Sequence, residues 1–261
     1  MIQNNIKTMV RKSLTLVVAV SLLALTACEE KDPIDDPNNP NTEVSSSAKT
    51  KPNAPDTKLE VSMTGAINHT THTPGDSGSV TFNRFPYSID EFKSVQKQIG
   101  GEPHGAVALE LMAAEMYRWN AAIGTECLKL CNIPINVNLQ TNRWKELFGN
   151  DVNYNRPYQI GAYLRGATPE NKYTPNEPYT IEVRVRKNRA YENSTDYQCK
   201  VLFLEVMTKG KETNGCDLVD VVKPEPCNSY PNGSNYFVVF NCPGLYAQVK
   251  QIYDPSWDKL K

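Results

Sequence analysis

Residues 104–120, "HGAVALELMAAEMYRWN", constrain the fold of this chain more than any other segment. If the stretch forms a helix, apolar side chains lie on nearly every side of it. A surface helix carries one apolar stripe, whereas a helix that is apolar on every side has to be buried by neighbouring elements. The sequence therefore predicts a long central core helix, with Gly124 marking its end.

The segments around this helix predict an α+β fold. Ser88 and Glu91 form an S-x-x-E capping box, which begins a helix that ends at Gly100–Gly101. Strands are predicted at 59–67 and 79–85 before the helices and at 179–187, 198–207, 217–222 and 235–241 after them, with short helices at 125–132 and 139–149. Helices first and strands later favour an N-terminal helical layer, with its long buried central helix, packed on one face of a C-terminal antiparallel sheet.

The N-terminus has the pattern of a secretory signal. Residues 1–12 carry three cations and no acid, and residues 14–25 are almost wholly apolar but too short for a relaxed membrane-spanning helix. "LTAC" at 25–28 resembles the lipobox of bacterial lipoproteins. The resemblance implies removal of residues 1–27 and lipidation of Cys28, which would attach the protein to a membrane.

The residues after Cys28 predict a disordered tether and a cellular location. "CEEKD" resembles the acidic export signal of surface-exposed Bacteroidota lipoproteins, although an ordinary solvated linker is the alternative. Residues 28–58 are rich in Pro, Asn, Asp and Ser, a composition typical of disordered, extended spacers. We expect a lipid anchor in the outer membrane, exposure at the cell surface, and one globular domain over residues 59–261.

No stretch predicts a catalytic or metal site. Ser77 lies in "GDSGS" at 75–79, which resembles the sequence around the nucleophilic serine of trypsin-like proteases. Those enzymes also need a His and an Asp far upstream of the serine, whereas here only His69 and His72 precede it, within a few residues. A turn is therefore favoured. His69 and His72 form H-x-x-H outside any helix and are interpreted as surface histidines rather than metal ligands. No cofactor is expected, and the net charge of −1 does not indicate a nucleic-acid partner.

Charged residues within the predicted elements have structural explanations. Glu110 and Glu115 point about 140° apart on one helix, so they do not face each other as a glycosidase pair. Glu115 and Arg118 are three residues apart, which predicts an ion pair. The basic cluster 184–189 is interpreted as a solvated sheet face, with a site for an acidic ligand as the alternative.

Six cysteines besides Cys28 are candidates for disulfides in an oxidising compartment. They are Cys127, Cys131, Cys199, Cys216, Cys227 and Cys242. We expect one to three bridges, and the sequence does not choose among the fifteen connectivities. Cys127 and Cys131 share a helix face, where a bridge within one turn is strained and burial is the alternative. Cys216 and Cys227 flank one strand and are a candidate pair.

Tyrosines in predicted loops are the best indication of a ligand. They are Tyr154, Tyr158, Tyr173 and Tyr230. Flat rings with a polar edge suit contact with a sugar or a protein. We therefore expect a non-catalytic domain that binds an extracellular glycan or protein. A small surface hydrolase and a structural envelope component are the alternatives, and the oligomeric state stays open.

Three segments carry a resemblance to a family. Residues 87–120, "RPYQIGAYLRGATPEN" at 156–171, and the strands that follow are similar to a family of secreted bacterial domains of unknown function. The similarity covers about residues 79–250. It implies an extracellular globular domain and supplies no catalytic residues. The Gly, Pro and Asn of "GATPEN" are also residues that favour turns.

Overall fold

The computed structural model describes residues 55–148, 158–187, 191–211, 215–250 and 252. The predicted signal peptide, Cys28 and the tether up to residue 54 lie outside the described residues. The described helices are α1 (Ile89–Ile99), α2 (Pro103–Trp119), α3 (Ala121–Cys131), α4 (Pro134–Phe148) and the single turn α5 (Tyr158–Gly161). The described strands are β1 (Val61–Ala66), β2 (Ser77–Phe82), β3 (Tyr179–Val185), β4 (Glu192–Ser194), β5 (Cys199–Met207), β6 (Cys216–Val222) and β7 (Val238–Asn241).

The start of α1 follows the predicted capping box. Ser88 Oγ accepts a hydrogen bond from the Glu91 N–H at 3.2 Å. The Glu91 carboxylate accepts the Tyr87 N–H at 2.7 Å and pairs with both terminal nitrogens of Arg84 at 2.7 and 2.9 Å. Because Arg84 holds this carboxylate in its charged form, the pKa of Glu91 is lowered. The cap prediction is confirmed.

The prediction of a buried central helix is also confirmed. Residues 103–114 and Met116 of α2 are buried, between the other helices and the sheet. The predicted break at Gly124 is wrong, because α2 ends at Trp119 and Asn120 is the extended cap residue between α2 and α3. Asn120 Oδ1 accepts the Ile123 N–H at 3.1 Å, so a polar side chain rather than glycine separates the two helices.

The strands form one antiparallel seven-stranded sheet, as the α+β prediction requires. Its order is β1-β2-β3-β5-β6-β7, with the short β4 pairing β5 beside β3. Side chains alternate across β5. Leu202 and Leu204 join the main core with α2, whereas Val201 and Phe203 join a smaller apolar cluster on the opposite face with Tyr197.

The "GDSGS" segment builds the turn into β2. Gly75 has a φ of +98°, and Asp76 Oδ2 accepts the Asn68 N–H at 2.9 Å across the loop. Gly78 leaves room for His104, since a Cβ there would lie 2.7 Å from the Cγ of that ring. His104 is 1 % exposed, and burial lowers its pKa. Turn geometry and close packing account for these residue types.

The interpretation of His72 as a surface residue is wrong. His72 is 3 % exposed, and its Nε2 lies 3.1 Å from the Phe203 backbone nitrogen, which donates to it. β5 pairs with β4 before Phe203 and with β3 after it, so the imidazole fills a gap in the ladder. This contact joins the loop between β1 and β2 to a strand 131 residues away in sequence, which the local sequence pattern does not reveal. His69 remains exposed.

Within the described residues, every helix is too short or too polar to cross a membrane.

Candidate binding groove

A groove with a volume of about 770 Å³ lies beside the ends of β4, β5 and β6. Its lining comes from three segments that are distant in sequence, within residues 69–70, 193–202 and 223–237. We call this the polar groove. Its size falls in the range of about 300–1,000 Å³ that small-ligand sites usually have.

The first wall is the hairpin of β4 and β5. β4 pairs with β5 from Glu192 opposite Val201 to Ser194 opposite Cys199. Ser194 Oγ accepts the Tyr197 N–H at 3.3 Å, and Gln198 has a φ of +52° that reverses the chain. These contacts hold the hairpin turn, so the groove side chains on it are presented from a defined backbone.

The second wall is the loop after β6. The Ser234 N–H donates to the Pro224 carbonyl at 2.8 Å, which closes this loop on itself. The Glu225 N–H donates to the Tyr197 carbonyl at 3.1 Å, which fastens the loop to the first wall. Asn232 and Asn235 are exposed on this pinned segment.

The third wall is the loop between β1 and β2. Asn68 Oδ1 accepts the Thr70 N–H at 2.8 Å, and the Lys200 ammonium donates to the Thr70 carbonyl at 2.8 Å. The His69 ring lies edge-on to the Phe237 ring, with centroids 5.5 Å apart. Phe237 is 2 % exposed, so it supports the groove rather than offering a stacking face.

Exposed amide side chains are a second feature of the groove lining. Asn193, Asn232 and Asn235 are exposed, and their side chains make no hydrogen bond to any residue that the structure describes. An amide offers both donors and acceptors. The groove therefore presents three amides whose hydrogen bonds are available to a ligand.

The same lining holds one thiol and one carboxylate. Burial raises the pKa of the Cys199 thiol to about 11, so the thiol stays protonated and is a weak nucleophile at neutral pH. Glu225 is the one acid among the described lining residues, whereas glycosidases use two facing carboxylates. Within the described ranges no cluster of His, Cys, Asp and Glu is arranged to hold a metal ion.

Glu110 belongs to a separate, enclosed polar cluster. It is 0 % exposed, and burial raises its pKa to about 7. Asn132 donates to its carboxylate at 3.0 Å, and the Cys131 and Cys242 thiols donate at 3.9 and 3.7 Å. A carboxyl without exposed surface meets no substrate, so this cluster is part of the core. Glu115 instead forms the predicted ion pair with Arg118.

Two of the predicted tyrosines, Tyr173 and Tyr230, are absent from the groove lining. Tyr173 is 4 % exposed and its hydroxyl donates to the Lys250 carbonyl at 2.7 Å. Tyr230 is half-buried, and its hydroxyl lies 3.4 Å from the Asn132 carbonyl oxygen. Tyr154 lies outside the described residues, and Tyr158 is the first residue of α5. The structure thus assigns Tyr173 and Tyr230 to packing inside the fold.

All six described cysteines are free thiols in this structure. Cys127 and Cys131 share the face of α3 that meets α2, where the Cys127 sulfur lies 3.5 Å from that of Met116.

Cys216 begins β6, whereas Cys227 lies beyond its other end, in the cluster with Cys199. Seven strand residues span about 20 Å, and a disulfide requires Cα atoms within about 7 Å. The suggested Cys216–Cys227 pair is therefore wrong.

The amides and lysines of the groove were not found from the sequence. Their one signal is the turn-rich run 223–235, "KPEPCNSYPNGSN", which directly follows an apolar strand. Turn-rich loops after a strand often carry binding residues. The pattern does not show that residues 69–70 and 193–202 meet this loop.

Comparison with known proteins identifies one family. Residues 84–253 match a family described as "Domain of unknown function (DUF6935)". No curated protein and no solved structure matches the chain. Two walls of the polar groove fall inside the matched range, whereas the wall at residues 69–70 precedes it.

Proposed function

This chain belongs to the DUF6935 family of domains of unknown function, and we propose that it is a non-catalytic binding domain that holds an extracellular glycan in the polar groove. Three exposed amides on pinned segments carry the proposal. A glycan offers many hydroxyls as donors and acceptors, and amides match both. Because the groove backbone is already held by internal hydrogen bonds, little ordering entropy is lost on binding.

Removing the groove amides should weaken glycan binding without unfolding the protein. Asn232→Ala and Asn235→Ala each delete a donor and an acceptor from an exposed loop, so we expect about a three- to tenfold loss of affinity. A thermal-shift screen against polysaccharides selects the probe, and calorimetry measures the dissociation constant. Asn142→Ala, at an exposed position of α4, is the matched control and should leave affinity unchanged.

The same screen tests the absence of catalysis. A bound polysaccharide should be recovered intact after long incubation with the protein. New reducing ends that depend on the protein would establish the hydrolase alternative. A panel in which no polysaccharide shifts the melting temperature would contradict glycan binding.

A protein ligand is the second candidate, favoured by an exposed apolar pair on α4. Ile135 is 71 % exposed and Leu139 is 66 % exposed, and the two lie one helical turn apart. Adjacent exposed apolar side chains can form part of a larger apolar patch, and such patches often mark contact surfaces. A partner that binds the native chain and the Ile135→Ser/Leu139→Ser variant equally would argue against this surface.

The proposal includes attachment at the cell surface through Cys28. It is supported by the lipobox-like "LTAC", the acids that follow it, and the Pro- and Asn-rich residues up to 58. Each buried lipid methylene contributes about 0.8 kcal/mol, so more than one acyl chain gives stable attachment.

Cys28→Ser should move the protein from the membrane fraction to the soluble fraction. Protease added to whole cells should cleave the native tether, and full protection would mean that the domain faces the periplasm.

A further inference from the structure

Two lysines lie side by side at one end of the polar groove. The ladder of β5 and β6 ends with Val201 opposite Val222. The next residues outward, Lys200 and Lys223, are therefore neighbours, and both line the groove. Like charges that face each other across an antiparallel pair are destabilising. The hydrogen bond from Lys200 to Thr70 accounts for one of the two cations and leaves the pairing with Lys223 unexplained.

Neither lysine has an acidic partner among the described residues. The Lys200 ammonium donates to the Thr70 carbonyl and lies 4.2 Å from the centroid of the Tyr191 ring. The Lys223 ammonium lies 5.7 Å from the centroid of the Phe237 ring. A carbonyl and two aromatic faces orient these cations without neutralising them. Both lysines are half-buried, which reduces screening by solvent.

We infer that the groove selects acidic glycans, with a carboxylate or sulfate group seated between Lys200 and Lys223. This inference rests on the proposed function and specifies its ligand. An anion there forms charge-assisted hydrogen bonds with both ammonium groups and relieves their mutual repulsion. The amides of Asn193, Asn232 and Asn235 then hold the sugar hydroxyls. Glu225 is exposed on the rim and disfavours anions beyond this seat.

Matched pairs of polysaccharides test the selection for acid groups. The full chain in detergent is titrated with polygalacturonate and with its methyl ester, and with chondroitin sulfate and its desulfated, methyl-esterified form. The acidic member of at least one pair should bind about tenfold more tightly or better, and rising salt should weaken that binding. The neutral members should be nearly insensitive to salt.

Charge-removing variants locate the effect. Lys200→Gln/Lys223→Gln keeps side chains of similar polarity, and it should lose about tenfold in affinity for the acidic probe and much less in affinity for the neutral probe. Lys209→Gln, an exposed lysine outside the groove lining, is the control. Unchanged melting temperatures show that the variants are folded.

The outcomes separate the two proposals. Equal affinity for both members of every pair would overturn the selection for acid groups and leave the proposed glycan binding intact. An equal loss in Lys209→Gln would show a diffuse charge effect and would also overturn the selection. Failure of every acidic and neutral probe to bind would overturn both proposals.

Discussion

Replacing Glu110 by glutamine is expected to remove a fall of about 3 kcal/mol in the free energy of unfolding, which the native protein undergoes between about pH 5 and about pH 8. Burial raises the pKa of Glu110 from 4.5 to about 7. Each pKa unit corresponds to about 1.4 kcal/mol, which gives the size of the effect.

The environment of Glu110 explains the shift. The side chain has no exposed surface, and loss of hydration disfavours the carboxylate. Hydrogen bonds from Asn132, Cys242 and Cys131 act in the opposite direction and only partly offset burial. These neighbours are an amide and two thiols rather than cations, so they stabilise the Glu110 carboxylate less than a paired cation would.

The direction of the pH dependence follows from linkage. Between the unfolded pKa near 4.5 and the folded pKa of about 7, the folded state binds the proton more tightly than the unfolded state. The free energy of unfolding therefore falls as pH rises through this window and levels off above it. Glutamine is neutral at every pH, so the variant should match the native protein near pH 4, below both pKa values, and exceed it near pH 8.

Urea unfolding followed by tryptophan fluorescence, with the thiols kept reduced, measures this effect. The difference between native protein and variant is the quantity to compare, because burial lowers the pKa of His104 and contributes a pH dependence of opposite sign to both proteins. Glu146→Gln, at an exposed position of α4, is the control. Parallel stability curves for the native protein and Glu110→Gln would refute the prediction.

Substituting Gly124 by alanine should destabilise the fold by about 3 kcal/mol, despite a gain of about 1 kcal/mol in helix propensity. A Cβ at this position of α3 would lie 2.2 Å from both the backbone N and the Cα of Tyr117 in α2. A side chain can rotate away from such a clash, but helical backbone cannot. The two helices would have to separate and loosen the packing between Met116 and Cys127.

Gly101→Ala is the matched control for this substitution. It adds the same methyl group where no heavy atom lies within 4 Å, so we expect it to be close to neutral. Thermal and urea unfolding of both variants measure the difference. If Gly124→Ala were as stable as the native chain, the helix-crossing explanation for this glycine would be wrong.

Much of the architecture was predictable because it depends on local signals. The capping box of Ser88 and Glu91 begins α1, and the all-round apolar segment 104–120 forms the buried α2. Alternation over 179–185 gives β3. The three-residue β4 and the four-residue α5 were missed because a periodic pattern needs more residues to be recognised.

Contacts between residues that are distant in sequence were far less predictable. Gly124 was interpreted as a helix end because sequence shows that a glycine is present but not which neighbour requires it. His72 was interpreted as a surface residue because its partner, the Phe203 backbone, is 131 residues away. The loop pattern predicts Tyr173 and Tyr230 as contact residues, yet Tyr173 is buried and Tyr230 is half-buried against an apolar cluster.

The sequence by itself determined the order of the longer helices and strands, the cap of α1 and the burial of α2. Periodicity and capping act over a few residues, so they are legible in the chain. Only the tertiary structure brought residues 69–70, 193–202 and 223–237 together into one groove, and only it buried the Glu110 side chain completely. Strand pairing and burial join residues that are far apart in sequence, and the chemistry of a site depends on those contacts.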